Sequence, residues 1–242
     1  MGHISELFNQ GYTVLPSLIS EETCDTLTKY LDGNFNEDLP YNYIKGHYQI
    51  HLPKKAEDLP EEIVFNKKIH EILGDVMGPS YYMYSYTCNA NIASKNQPFH
   101  MDCTHYHPLD TVRRFGSPGP PFQIIVNTYL QDTDESNGSL EIVPKSHVNT
   151  YFESDEEGRI EEKYIGETKR CNLPKGSVII RDKRTWHRGT MNLKDKTRYM
   201  TSTSYSMGWY KLENRLQFNK DSEEFFYDSP FSCWNLDFNV FD

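Results

Sequence analysis

The sequence lacks several features that would settle its class early. It has no cysteine pair at zinc-finger or redox-motif spacing: Cys24, Cys88, Cys103, Cys171 and Cys233 are scattered and odd in number. No disulfide framework is therefore expected, and a reducing, cytoplasmic setting is. No apolar run approaches membrane-spanning length, so no membrane partner is expected. The opening stretch MGHISELFNQGYTVLP has neither a basic n-region nor a long apolar h-region, so it does not read as a signal peptide. It also misses the myristoylation pattern, with Ser5 one place early and Glu6 where a hydroxyl is needed. Positive charge is scarce. With 25 basic against 35 acidic residues and a formal net charge of −10, no nucleic-acid partner is expected. No internal repeat is visible.

What remains is a 242-residue chain, long enough for one large domain with a real core. Residues 1–79 read as a helical N-terminal layer. Within it GYTVLP is a short strand, and Ser20 caps a helix through EETCDTLTKYL that ends near Asp32-Gly33. A second helix is expected in NKKIHEILGDVMG, with Ile69, Leu73 and Val76 on one face and Gly78-Pro79 as the stop. Residues 80–210 change texture. YYMYSYTCNANI, FQIIVNTYLQD, GSLEIVP, GSVIIRD and RYMTSTSYSMGWY are strand candidates, and the Asn137-Gly138 turn is a hairpin signal. Residues 211–242 are a C-terminal extension. The fold class expected is mainly β with flanking α-helices. RRFGSPGPPF and the acidic run ESDEEGRIEEKY read as surface loops.

Chemistry concentrates in PFHMDCTHYHP, residues 98–108, which holds three of the nine histidines. On a strand, side chains two apart point the same way, so His100 and Asp102 converge while Met101 faces away. A histidine and a carboxylate are two-thirds of a 2-His-1-carboxylate facial triad, which holds a non-haem iron(II) and leaves one face open. His187, after the strand candidate GSVII, is the best third ligand, and His147 is a weaker one that reads as a structural histidine. Eleven residues beyond His187, Arg198 opens a strand that alternates polar and larger residues. An arginine buried there needs an anion, and its fork matches a carboxylate such as the distal one of 2-oxoglutarate. His105 and His107 read as loop residues at the pocket rim, because Pro108 and Asp110 mark an irregular segment. Arg113 and Arg114 read as ordinary surface arginines, with a lid that greets an acidic substrate as the less favoured alternative.

In this order and spacing, the chain resembles the phytanoyl-CoA dioxygenase family of iron(II)/2-oxoglutarate-dependent oxygenases. GYTVLPSLISEETCDTL resembles the family's opening strand and helix, and HMD its iron-binding HxD. DESNGSLEIVPKSH is similar to its Asn-Gly turn and Pro-x-Ser-His segment. KGSVIIRDKRTWHRGTMNLKDKTR resembles the segment carrying the distal histidine and the cosubstrate arginine. The resemblance implies a double-stranded β-helix (jelly roll, cupin-like) with buttressing helices. It implies iron held by His100, Asp102 and His187, and 2-oxoglutarate anchored by Arg198. O2 is consumed, ascorbate serves as reductant, and a small organic molecule is oxidised, most simply by hydroxylation, with succinate and carbon dioxide released. Thr87, Asn89 and Asn91 share a face and are candidate cosubstrate contacts. Asn127 either touches the cosubstrate or makes a structural hydrogen bond. Lys145 stands where the family often has glycine. Gly189 stands where some relatives carry serine, which leaves Thr190 as the nearest substitute. Asp102 is the residue that related halogenases lack, so oxygenation is implied and not halogenation. Trp186 reads as packing. A cupin-like metal module without turnover, which would not need Arg198, and a zinc hydrolase on the same ligands are the alternatives.

Overall fold

The computed structural model describes residues 2–51, 59–103, 116–117, 119–149, 158–210, 216–217 and 236–237. Helix α1 (His3–Gln10) leads into strand β1 (Tyr12–Leu15), with Gly11 turning the chain in a left-handed conformation. Helix α2 (Glu21–Asn34) starts as expected: the Ser20 hydroxyl accepts from the Thr23 amide. It ends near Asp32-Gly33 as expected, at Asn34, and closes on an extended Phe35, whose ring packs against Tyr48 and Tyr199. Strand β2 (His47–His51) and helix α3 (Glu61–Val64) follow. Helix α4 (Lys67–Met77) has Asn66 as its cap and Gly78, at φ 76°, as its stop.

The long strand β3 (Tyr81–Asn91) opens the β-rich part. It is followed by β4 (Gln123–Tyr129), β5 (Leu140–Ile142), β6 (Lys169–Arg170), β7 (Val178–Asp182), β8 (His187–Gly189) and β9 (Arg198–Met207), then the short pair β10 (Leu216–Gln217) and β11 (Leu236–Asp237). Six strands form one antiparallel sheet in the order β1-β7-β4-β9-β3-β2, and three form a smaller one, β6-β5-β8. The first 79 residues thus supply both edge strands of the large sheet as well as helices. The Asn137-Gly138 turn is present, with Gly138 at φ 83°, but it makes no hairpin. The Asn137 side chain bonds the Asp132 carbonyl and the Asp134 amide instead, and β5 leaves to pair with β6 and β8. The turn is a corner that carries the chain from the large sheet to the small one.

Strand alternation sorts the large sheet into two faces. Tyr86, Cys88, Ala90, Ile124, Val126, Val178 and Ile180 face out and pack with Leu7, Cys24, Leu27, Leu31, Ile69 and Leu73 of the helices. The inward face is half apolar: Tyr129, Ile179 and Met200 meet Leu140 and Ile142 of the small sheet. The rest of that face is mostly polar, with Thr87, Asn89, Asn91, Arg181, Arg198, Ser202 and Ser204 on it and His47 and Gln49 from β2. Such polar residues are tolerated inside only where they pair or line a cavity. Among the described residues, no helix is long and apolar enough to cross a membrane.

Candidate active site

Two backbone segments meet to make the site. His100 forms a β-bridge with His187, each amide donating to the other's carbonyl at 3.0 Å. Asp102 is tied by its amide to the Lys183 carbonyl at 3.2 Å. The alternation expected of HMD is present: Met101 packs with Phe99, Val143, Ile160 and Trp186, while His100 and Asp102 face the interior between the sheets.

The three side chains then converge. One ligand atom from each of His100, Asp102 and His187 lies within 4.8 Å of the others. Asp102 Oδ2 is 3.4 Å from His187 Nε2, and Asp102 Oδ1 is 3.9 Å from His100 Nε2. The other ring nitrogens are committed. His100 Nδ1 sits 2.9 Å from the Pro98 carbonyl and His187 Nδ1 2.9 Å from the Thr185 carbonyl. A carbonyl only accepts, so both Nδ1 atoms carry the proton and both Nε2 lone pairs point free, as a metal ligand requires. Burial lowers the pKa of both imidazoles, most strongly His187, where Arg181 adds to it. Burial alone would raise Asp102. The Arg181 guanidinium, and then the two histidines, override that and hold the carboxyl well below its usual range.

A cavity of about 270 Å³ adjoins this cluster. Arg198 lines it and is only 3 % exposed, yet its Nε and Nη1 have no hydrogen-bond partner. Burial disfavours its charge. A buried guanidinium left this way is costly unless an anion completes it. Thr87, Asn89 and Asn91 line the same cavity. The Asn91 amide is already spent, donating to the Thr190 carbonyl at 2.8 Å and accepting from Ser94. The Thr87 hydroxyl reaches the Ser202 carbonyl at 3.5 Å.

One expectation is corrected, for Thr190, and one choice is narrowed, for Asn127. Thr190 does not face the cavity: its hydroxyl donates to the Ser139 carbonyl at 2.7 Å and accepts from Arg170 at 2.7 Å, so it stitches the small sheet. Asn127 makes the structural hydrogen bonds: its amide donates to the Thr201 carbonyl at 3.2 Å and its Oδ1 accepts from Arg181 Nε at 3.1 Å. His147 is a structural histidine, with Nε2 3.1 Å from the Phe8 carbonyl. His105, His107, Arg113 and Arg114 lie outside the described residues.

The structure also brings in residues the sequence reading missed. Arg181, inward on β7, places Nη2 2.5 Å from Asp102 Oδ2. Gln97 and His47 fill the space beside Gly189, where some relatives of the resembled family carry serine. Gly189 donates to Gln97 Oε1 at 2.8 Å, and a Cβ there would sit 2.6 Å from that oxygen and 2.8 Å from the His47 ring. The one signal for Arg181 was an arginine in an otherwise apolar strand, VIIRD, which needs an anionic partner for the same reason as Arg198.

Residues 8–200 match the phytanoyl-CoA dioxygenase (PhyH) family. The chain belongs to this family, one of 2-oxoglutarate-dependent non-haem iron enzymes. Its fold is shared with several solved structures. The epimerase SnoN, in complex with Fe3+, alpha ketoglutarate and nogalamycin RO, superposes with a TM-score of 0.67 at 15 % identity, covering 85 % of this chain and 82 % of SnoN. HygX from Streptomyces hygroscopicus, with nickel, 2-oxoglutarate and hygromycin B bound, gives 0.64 at 13 % identity, covering 88 % and 91 %. EvdO2 from Micromonospora carbonacea var. aurantiaca gives 0.66 at 16 %, covering 85 % and 89 %. At these identities the likeness is one of fold: the jelly roll expected of the family.

Proposed function

We propose that this phytanoyl-CoA dioxygenase family member binds iron(II) through His100, Asp102 and His187, anchors the distal carboxylate of 2-oxoglutarate on Arg198, and oxidises a small organic molecule, most simply by hydroxylation. Its domain spans residues 1–242, with 80–210 as the catalytic core, and it works in the cytoplasm. The observation that supports the reading is the buried Arg198, whose Nε and Nη1 have no hydrogen-bond partner among the described residues, in the same cavity as three converging candidate ligand atoms. Asn89 and Thr87 are further cosubstrate contacts on the same wall.

Each residue has a defined task. The two histidines present neutral Nε2 atoms, and Asp102 supplies the one ligand charge. Arg198 orients the cosubstrate by meeting its far carboxylate with paired N–H donors. The packed walls would exclude bulk water and hold the reacting carbon close to the metal these residues would bind. Iron(II) with 2-oxoglutarate and O2 supplies the oxidising power, with succinate and carbon dioxide as co-products and ascorbate keeping the metal reduced.

The test is succinate formation from 2-oxoglutarate with added iron(II), ascorbate and air, beside a visible absorption band when 2-oxoglutarate is added to the iron(II) protein without oxygen. Both signals are expected in the wild type, and both should vanish in His100→Ala and Asp102→Ala. Turnover that needs zinc and no oxygen would instead establish a hydrolase. Absence of both signals in the wild type would leave a metal-binding module.

A further inference from the structure

The cavity carries more positive charge than iron and its cosubstrate use. Arg181, Lys183 and Arg198 line it, and among its described lining residues Asp102 is the sole carboxylate. This occurs in a chain with a net charge of −10. Three side-chain cations and a divalent metal outweigh the carboxylates of Asp102 and 2-oxoglutarate together.

Strand register shows where the surplus lies. Arg198 pairs with Asn91 at one end of the β3–β9 ladder, and Ser204 pairs with Ser85 towards the other. At about 3.3 Å per residue those rows are roughly 20 Å apart along the strands. Ile125 of β4 pairs with both Ser204 and Arg181, so Arg181 and, two residues on, Lys183 belong to the end away from Arg198. Arg181 is 4 % exposed. Its Nε and Nη2 are taken by Asn127 and Asp102, and its Nη1 has no partner. The Lys183 ammonium lies 5.4 Å from the centre of the Tyr84 ring. The Tyr84 hydroxyl accepts from Gln123 Nε2 at 3.2 Å. Lys183 makes no ion pair with a carboxylate among the described residues.

We propose that Lys183 and Arg181 Nη1, beside the Tyr84 hydroxyl, form an anion subsite that holds a carboxylate of the organic substrate next to the metal; this rests on the iron and 2-oxoglutarate reading above. The charge of Arg181 is already shared with Asp102, so of the two cations at this end of the cavity Lys183 is the one without a carboxylate partner among the described residues. That suits a singly charged carboxylate better than a phosphate dianion, with one donor from each residue of the same cavity wall for its two oxygens. The same guanidinium touches a metal ligand, so the bound carboxylate sits close to the metal and the carbon oxidised is one near it. The substrate class is a small carboxylic acid.

The test uses the iron(II)·2-oxoglutarate protein without oxygen and follows shifts of its visible band. The probes are monocarboxylates graded from acetate to phenylacetate, each against its amide. The acids should bind at least tenfold more tightly than their amides. Lys183→Met should abolish that preference and Lys183→Arg should keep it; the band itself reports that each variant is folded and loaded. Equal binding of acids and amides overturns the subsite, as does a preference that survives Lys183→Met. A Lys183→Met protein that instead needs more 2-oxoglutarate, with acid preference intact, assigns the cations to the cosubstrate and also overturns it. A wild type with no band at all overturns the function proposed above and this inference with it, whereas a band without acid preference overturns this inference alone.

Discussion

Two arginines divide the work at opposite ends of the inward face of the large sheet. Among the described residues Arg198 Nε and Nη1 have no hydrogen-bond partner, so its replacement should be felt chiefly by the cosubstrate. Charge-assisted hydrogen bonds are worth about 1.5–3 kcal/mol each. Arg198→Ala is therefore expected to raise the 2-oxoglutarate concentration for half-formation of the visible band by roughly 10- to 100-fold, while iron affinity is spared. An unchanged requirement would put the anchor elsewhere. Arg181 acts through Asp102. Without it Asp102 Oδ2 loses the donor that fixes its position, and partners of metal ligands of this kind are worth about 10- to 100-fold in metal affinity. Calorimetric titration of oxygen-free Arg181→Leu with iron(II) should show a loss of that order, with partial recovery in Arg181→Lys. Arg198 was legible as a candidate in sequence, as were the converging His100, Asp102 and His187, because it lies at a fixed distance behind a histidine. Arg181 was not, since a charge in VIIRD does not by itself say which face it takes, and only the pairing of β7 with β1 and β4 decides which residues turn inward.

Elements were legible in proportion to their own local signals. Helices α2 and α4 carry a capping side chain and an apolar stripe, and both form where those signals stand. Helix α1 has eight residues, a glycine at its N-cap without a capping side chain, and Leu7 as its one buried residue, so it depends on packing against the sheet and left little trace. Strand β2 alternates only briefly: Tyr48 and Ile50 join the helical core while His47 and Gln49 face the cavity. Its partner β3 makes it a strand. The Asn137-Gly138 turn was legible as a turn, but its consequence depended on which strands β5 would find. Ser20 illustrates a cap with tertiary reach. Its hydroxyl accepts from Thr23 and donates to Glu62 at 2.6 Å, and Glu62 also accepts from the Ser20 amide at 2.8 Å, tying α2 to α3. Ser20→Ala should lower the unfolding free energy by about 1 kcal/mol. The measurement is a lower urea midpoint at unchanged slope; a midpoint equal to wild type would mean that solvent satisfies the helix end equally well.

At the scale of the whole molecule, the fold buries imidazoles in number. His47, His70, His100, His147 and His187 are all buried, and burial lowers the pKa of each, with His47 brought down to about 4. The sign follows from proton counting. In the unfolded chain each histidine takes up a proton as pH falls through about 6.5, whereas the folded protein resists until its own lower value. Between those values the unfolded state binds more protons, so stability falls as pH falls. The contribution is fully present above about pH 7 and is lost progressively towards pH 4. His47 alone accounts for roughly 3 kcal/mol of that loss at the acid end, since each pKa unit corresponds to about 1.4 kcal/mol. Metal-free protein unfolded in urea should therefore keep a constant stability from pH 8 to 7 and lose several kcal/mol by pH 5. His47→Gln should show a shallower decline, because glutamine can still donate to the Lys95 carbonyl that His47 Nε2 meets at 2.7 Å but has no proton to take up. A wild-type stability that stays flat to pH 5 would mean that water reaches these rings, and with it that the cavity between the sheets is too wet to shelter the chemistry assigned to it.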